Sequence, residues 1–291
     1  MIRQRNFSHS FAVKAYMRLS TTLLFMCIAP CIAPPALAAS STGVDADHLR
    51  VTLLSEQDAL VPGHSAWLGL HLQHDVHWHT YWINPGDSGL PTRLSWTLPA
   101  GFTAADIVWP VPKRFAVGEL TNFGYDGDVL LPVQIEVPAQ AAAGSSAHLE
   151  VQAKWLVCEE ACIPGKATLA LDLPVRDTAT ADASVAPLFA AAHAAQPQPG
   201  MWKAAASMTA DAIEVSIRGG GLGNARMLDA FAVDGKVVGN AAPRFEVRDG
   251  AAVLIFAKSD YFTSVPKALH LIVLPPGSPA LDVRAFFQPP S

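Results

Sequence analysis

The sequence predicts an all-β protein of two β-sandwich domains joined by an Ala/Pro-rich, partly helical linker. Three observations carry this. Short runs of β-forming residues recur between turn signals every ten or so positions, the rhythm of a sandwich. No glycine fingerprint follows a strand-like run, and strands do not alternate with helical periodicity, which argues against a nucleotide-binding α/β fold. A single segment, Asp177 to Ala195, turns Ala-rich, and Gln196-Pro197-Gln198-Pro199-Gly200 then breaks the chain.

Residues 1–38 come first and stand apart. Arg3, Arg5, Lys14 and Arg18 precede an uncharged, mostly apolar run from Leu19 to Leu37 that ends in Ala36-Leu37-Ala38. A basic region, an apolar region and an A-x-A site make a cleaved secretory signal peptide, and Met17 offers an alternative start. A lipoprotein signal acylated at Cys27 or Cys31 is the rival. Bulky Met26 and Pro30 before those cysteines fit it badly. Cleavage removes two of the four cysteines and four basic residues but no acid, so the net charge of −5 becomes more negative. With no Lys/Arg-rich run, nucleic acid is excluded as a partner. No later apolar run approaches the roughly 18 residues that span a bilayer. The expected location is the periplasm, where disulfides persist.

Residues 39–177 read as the first sandwich. Its strand-like runs are Leu49 to Leu54, Ala66 to Leu72, His77 to Ile83, Leu94 to Leu98, Leu130 to Val137, His148 to Val157 and Ala167 to Val175. Residues 178–200 are the linker, with Ser184 the candidate cap of a short helix through Ala195. Residues 201–291 form a second, smaller sandwich. Its runs are Ile213 to Ile217, Ala230 to Val233, Arg244 to Val247, Val253 to Phe256, Ala268 to Leu274 and Leu281 to Phe287. Asp234-Gly235 and Asp249-Gly250 are hairpin signals. This second part holds no Cys and a single His, His270, and reads as a spacer or docking module.

The chemistry gathers at Trp155-Leu156-Val157-Cys158-Glu159-Glu160-Ala161-Cys162-Ile163-Pro164-Gly165. Cys158 and Cys162 are the pair that survives signal cleavage. They sit between a strand-like run and a Pro-Gly turn. A ring this short removes little chain entropy, so it is a poor staple, which favours redox exchange. An ordinary hairpin-end disulfide is the alternative. No helix follows Cys162 to lower a thiol pKa, as one does in the thioredoxin fold. Such a pair depends on an activated thiol from a partner. Glu159 and Glu160 oppose thiolate formation, and Lys154 and Lys166 favour it.

Three blocks in order resemble one family. They are Trp78-His79-Thr80-Tyr81-Trp82-Ile83-Asn84-Pro85-Gly86-Asp87-Ser88-Gly89-Leu90-Pro91-Thr92, Phe123-Gly124-Tyr125-Asp126-Gly127-Asp128-Val129-Leu130-Leu131-Pro132-Val133, and the cysteine stretch. Together they resemble the N-terminal periplasmic domain of DsbD-type protein-disulfide reductases. The likeness is greatest to the longer suppressor-of-copper-sensitivity ScsB type, and a link to copper tolerance comes with it. The resemblance covers residues 45–175 well and the second domain through weaker motifs. It implies immunoglobulin-like β-sandwiches and a cysteine pair that takes electrons from a thioredoxin-like domain and passes them to periplasmic disulfide proteins. It implies that Cys162 forms the mixed disulfide, and that Leu120 to Tyr125 is a cap loop with Phe123 or Tyr125 as its shield. The family's spacing between cysteines is wider. Its usual transmembrane and thioredoxin-like domains have no counterpart before Ser291, so the expectation is either a chain that works with separate partners, a membrane electron-transfer protein or thioredoxin-like periplasmic proteins, or a diverged soluble relative. No cofactor is expected.

Two rival motifs remain. Gly86-Asp87-Ser88-Gly89 resembles the nucleophile segment of trypsin-like proteases, but His77 and His79 lie too near Ser88 for that layout, and a turn is the better reading. His71, His74, His77 and His79 form a cluster in which His77 and His79 would share a strand face. With the cysteines they would suit copper or zinc, the main alternative function.

Overall fold

The structure is a computed structural model, described over residues 40–200 and 202–287. The signal-peptide reading, with Cys27 and Cys31, falls outside these residues. In chain order the first strands are β1 (Val44–Ala46), β2 (Leu49–Ser55), β3 (Ser65–His74), β4 (His79–Gly86), β5 (Arg93–Thr97), β6 (Thr103–Ile107), β7 (Lys113–Val117), β8 (Leu120–Asp126), β9 (Asp128–Glu136), β10 (Ser146–Cys158) and β11 (Cys162–Pro174). They form two antiparallel sheets. One has the order β1-β2-β3-β9-β6; the other runs β11-β10-β4-β8-β7, with β5 also on β10.

The two sheets close on one apolar core. Strand β10 shows why: its residues alternate between exposed and buried along almost its whole length, so Leu149, Val151, Ala153 and Trp155 all point inward. They meet Val51 and Leu53 of β2, Leu68, Leu70 and Leu72 of β3, and Leu131, Val133 and Ile135 of β9. Strand β3 alternates poorly because both its faces are covered. The helix α1 (Ala186–Ala194) lies against the outer face, where Phe189 packs with Leu54, Leu130 and Trp67. The Ala-rich segment is thus docked on the first sheet. Ser184 does not cap the helix. Its hydroxyl donates to Asp182, and the cap position falls on Val185, which has no side-chain oxygen to offer.

The remaining strands are β12 (Gln198–Pro199), β13 (Lys203–Met208), β14 (Ala212–Arg218), β15 (Asp229–Ala232), β16 (Arg244–Arg248), β17 (Ala251–Ala257), β18 (Ala268–Leu274) and β19 (Leu281–Phe287). They are hydrogen-bonded as one sheet, β15-β18-β19-β13-β14-β17-β16, with β12 beside β19. Its core gathers Ile213, Val215, Ile217, Leu254, Phe256, Leu269 and Leu271. Asp249-Gly250 makes the predicted tight hairpin between β16 and β17, both residues having positive φ, 49° and 71°. Asp234-Gly235 does not, because β15 pairs with β18 rather than with the next strand. The Asp234 carboxylate instead accepts the His270 amide.

The second region is joined to the first through a few specific contacts. Phe231 of β15 enters the first core and meets Trp82 and Phe123 edge-on at centroid distances of 6.1 and 5.1 Å. Arg114 of β7 donates to Asp229 at 2.6 Å and to the carbonyls of Ala230 and Asn240, while its guanidinium lies 4.6 Å from the Phe231 ring. Buried Asn84 donates to the Ala232 carbonyl at 2.7 Å.

Candidate redox site

Cys158 ends β10 and Cys162 begins β11. The two strands pair in unbroken register out to Cys158 opposite Cys162. Directly opposed side chains project from the same face of a sheet, so the register itself brings the sulfurs together. They are joined as a disulfide, with Cα atoms 4.2 Å apart. Glu159-Glu160-Ala161 is the tip of the hairpin. The Pro-Gly turn expected after Cys162 does not occur: Pro164 and Gly165 lie within β11, opposite Leu156 and Trp155. Strand β11 is an edge, where the missing proline N–H costs no ladder bond. A Cβ on Gly165 would stand 2.3 Å from the Trp155 indole nitrogen, so the glycine gives that indole its room.

The two sulfurs differ in surroundings. Cys158 is only 2% exposed, on a strand with neighbours on both sides. Cys162 is exposed at the start of the edge strand. Tyr81 of β4 brings its hydroxyl to 3.5 Å from Cys162 Sγ. Burial pushes the Tyr81 phenol above its ordinary value, so it stays a neutral O–H donor. A Cβ on Gly89 (φ 95°) would lie 2.2 Å from the Tyr81 ring, which shows how closely the Gly86–Pro91 loop covers it. On the same face, His79 pairs in register with Cys158. Its ring stacks on Phe115 of β7 at 4.5 Å and meets Tyr81 edge-on at 5.3 Å. Burial, and then the charge of His74, hold the His79 imidazole below its ordinary pKa.

The histidines named from sequence have different partners and do not converge on the cysteines. His71 bonds Asp128 at 3.0 Å. His74 bonds the Gly127 carbonyl at 2.7 Å and the Thr80 hydroxyl at 2.9 Å. His77 is not on the strand with His79. It occupies a turn closed by the Trp78 amide on Asp75, with φ 75°, and is exposed. His79 alone adjoins the cysteines. Among the described residues no three His, Cys, Asp or Glu side chains gather as a metal-holding group.

Phe123 and Tyr125 are not on an exposed loop. Both lie in β8 and are buried, at 2% and 4% exposure. Phe123 belongs to the cluster with Trp82 and Phe231. Tyr125 stacks with Trp109 and donates to the Pro110 carbonyl at 2.7 Å. The local cause is strand pairing: β8 runs beside β4 so closely that a Cβ on Gly124 would lie 1.9 Å from the Thr80 carbonyl oxygen. The aromatic that the β7–β8 hairpin brings to the disulfide's face is Phe115. Ser88 sits in a turn with its amide and hydroxyl on the Asn122 side-chain oxygen, both at 3.0 Å. The sequence does not single out Tyr81 or Phe115 as site residues. The period of two along β4, from His79 to Tyr81, was the signal for the first; nothing local marks the second.

Comparisons with known proteins agree with this geometry. Residues 50–174 match the family model "Thiol:disulfide interchange protein DsbD, N-terminal". No curated protein matches the chain. Among solved structures, the N-terminal periplasmic domain of ScsB from Proteus mirabilis superposes with a TM-score of 0.64 at 18% identity, over 86% of this chain and 99% of that one. That likeness is one of fold, and it extends past residue 174. The GAE domain of yeast GGA1 has a TM-score of 0.26 at 13% identity, over 45% of this chain and 95% of that one, too distant to weigh. The matched segment contains both cysteines, Tyr81, His79 and Phe115. Residues 50–174 thus resemble the N-terminal domain of DsbD-type thiol:disulfide interchange proteins, in the segment that holds the disulfide.

Proposed function

We propose that the chain is a periplasmic thiol–disulfide relay, working through Cys158 and Cys162 as a component of a protein-disulfide reductase system. The observation that carries this is the asymmetry of the disulfide: one sulfur is exposed on an edge strand and the other is buried, within a segment that resembles a thiol–disulfide interchange family. A partner thiolate attacks Cys162 Sγ, the reachable sulfur. The Sγ–Sγ bond breaks, Cys158 leaves as thiolate and takes up a proton, and Cys162 is held in a mixed disulfide. A second partner thiol then attacks the partner sulfur of that bond, leaving the partner oxidised and this pair reduced. The reduced pair repeats the sequence in reverse on a periplasmic disulfide protein.

Thioredoxin-like proteins are the partner class, with a membrane electron-transfer protein upstream. Residues 40–177 form the redox domain, and residues 202–287 a second domain that braces it through Arg114 and Phe231. The linker 178–200 is held against the first sheet. Phe115, rather than Phe123 or Tyr125, is the shield of the pair, because it stacks on His79 from the hairpin beside it. The test is trapping. Removing Cys158 leaves a mixed disulfide at Cys162 unresolved, so Cys158→Ala should accumulate covalent adducts with thioredoxin-like proteins in periplasmic extracts. Cys162→Ala should accumulate none. Equal trapping by both variants, or by neither, counts against the relay.

A further inference from the structure

We propose that His79 is the proton-transfer partner of Cys158. The inference rests on the exchange reading above and adds a chemical role within it. Strands β4 and β10 meet at one register pair, Cys158 opposite His79. Side chains directly opposed in an antiparallel ladder share a face, with Cβ atoms roughly 4.5–5.5 Å apart. That face is the disulfide's, because Tyr81, two residues along β4, reaches Cys162 Sγ from it.

His79 is 3% exposed, and its Nε2 has no hydrogen-bond partner. Leaving a buried polar atom unpaired is costly, so a specific one calls for a reason. The reason is supplied by the other redox state. In the disulfide, Cys158 carries no proton. On reduction it becomes a thiol almost out of reach of water, with an imidazole beside it. Phe115 on one face and the Tyr81 edge on another hold that ring in place. The titratable and charged groups around it are Cys158 on β10, Tyr81 on β4, His74 at the end of β3, and Asp126, which is opposite it on β8 and is itself paired with Lys113 of β7. Burial keeps the imidazole neutral at neutral pH, the form that accepts a proton.

With Cys162 in a mixed disulfide, the Cys158 thiol gives its proton to His79. The Cys158 thiolate attacks Cys162 Sγ, the Sγ–Sγ bond forms, and the bond from Cys162 to the partner sulfur breaks with its electron pair. The partner leaves as thiolate, the protein dithiol is oxidised to the disulfide, and the proton on His79 passes to water or to the departing thiolate. In the reverse direction His79 returns the proton to Cys158.

The test uses the reduced protein comprising residues 39–291 and the aromatic disulfide dithiobis(nitrobenzoate), followed by stopped-flow absorbance across neutral pH. The first phase reports attack by Cys162 and the second reports closure by Cys158. In His79→Phe, which keeps the stack on Phe115, the second phase should slow by about tenfold or more at neutral pH, while the first changes little. His79→Gln, which accepts a hydrogen bond but no proton, should slow it similarly. A second phase in both variants that matches the wild type across pH overturns the proposal. Should neither variant fold, the wild-type His79 ring is titrated by NMR in both redox states. Its midpoint should shift on reduction, because a thiol with a proton to share appears beside the ring; an unmoved midpoint overturns the proposal. The probe stands in for no biological partner, so a failure of the relay and a failure of this role give separate results.

Discussion

The Tyr81 hydroxyl stands 3.5 Å from Cys162 Sγ, the exposed member of the disulfide. An O–H at that place donates to the sulfur once it carries charge. Tyr81→Phe removes the donor and keeps the ring that Gly89 lies against. A hydrogen bond to a charged group is worth about 1.5–3 kcal/mol, and a contact as long as 3.5 Å yields about 1 kcal/mol of that. The expected result is about fivefold slower alkylation of reduced Cys162 by iodoacetamide at a fixed pH below its midpoint, with little change in thermal stability. The measurement is the pH profile of alkylation in a Cys158→Ala background.

Gly89→Ala should damage the same face. The added Cβ would sit 2.2 Å from the Tyr81 ring, at a backbone φ of 95° that side chains rarely adopt. Either the loop lifts or Tyr81 shifts. The expected cost is about 1–3 kcal/mol in denaturant unfolding, together with the slower exchange of Tyr81→Phe. Exchange unchanged despite the loss of stability would separate the loop from the redox site.

Arg114 ties the two regions together. Arg114→Ala removes the ion pair to Asp229, two bonds to backbone carbonyls and the stack on Phe231. The ion pair is only partly exposed, so the expected loss is about 2–3 kcal/mol, larger than a surface pair would give. Chemical unfolding checks the magnitude. A double-mutant cycle with Asp229→Asn should show coupling of about 1 kcal/mol.

Stability should depend on pH through His74 and His79. Burial lowers both below the ordinary value of 6.5. The unfolded chain therefore binds more protons than the folded one once pH falls through 6.5, and stability falls with it; above 6.5 this contribution is flat. The melting temperature should drop between neutral pH and the carboxylate range, and His79→Phe should remove part of that drop. Asp58 and Glu214 are lowered by hydrogen bonds from Thr180 and Arg248, so their contribution is lost only at more acid pH.

Much of this is legible in the sequence, for physical reasons. Strand β10 shows a clean period of two, and the blocks from Trp78, Phe123 and Trp155 carry the family. The cysteine pair needed no structure to be noticed. What could not be read was pairing over distance. Phe123 and Tyr125 are flanked by Gly124, which looks like loop chemistry but marks a close approach of β8 to β4. Pro164-Gly165 looks like a turn, but an edge strand tolerates the proline and the Trp155 indole needs the glycine. His79 was one of four histidines until the register placed it opposite Cys158. Arg114 and Phe115 are neighbours in sequence that serve opposite ends, one the second region and the other the redox face.

The central claim is that the Cys158–Cys162 disulfide is exchangeable, and its reduction potential tests that most directly. Purified protein comprising residues 39–291 would be equilibrated in thiol buffers and the redox state of the pair read by mass spectrometry. The account predicts a potential between roughly −180 and −270 mV, within the range of exchange proteins. A potential below about −300 mV, where structural disulfides lie, would contradict it and leave an inert staple at the end of a hairpin.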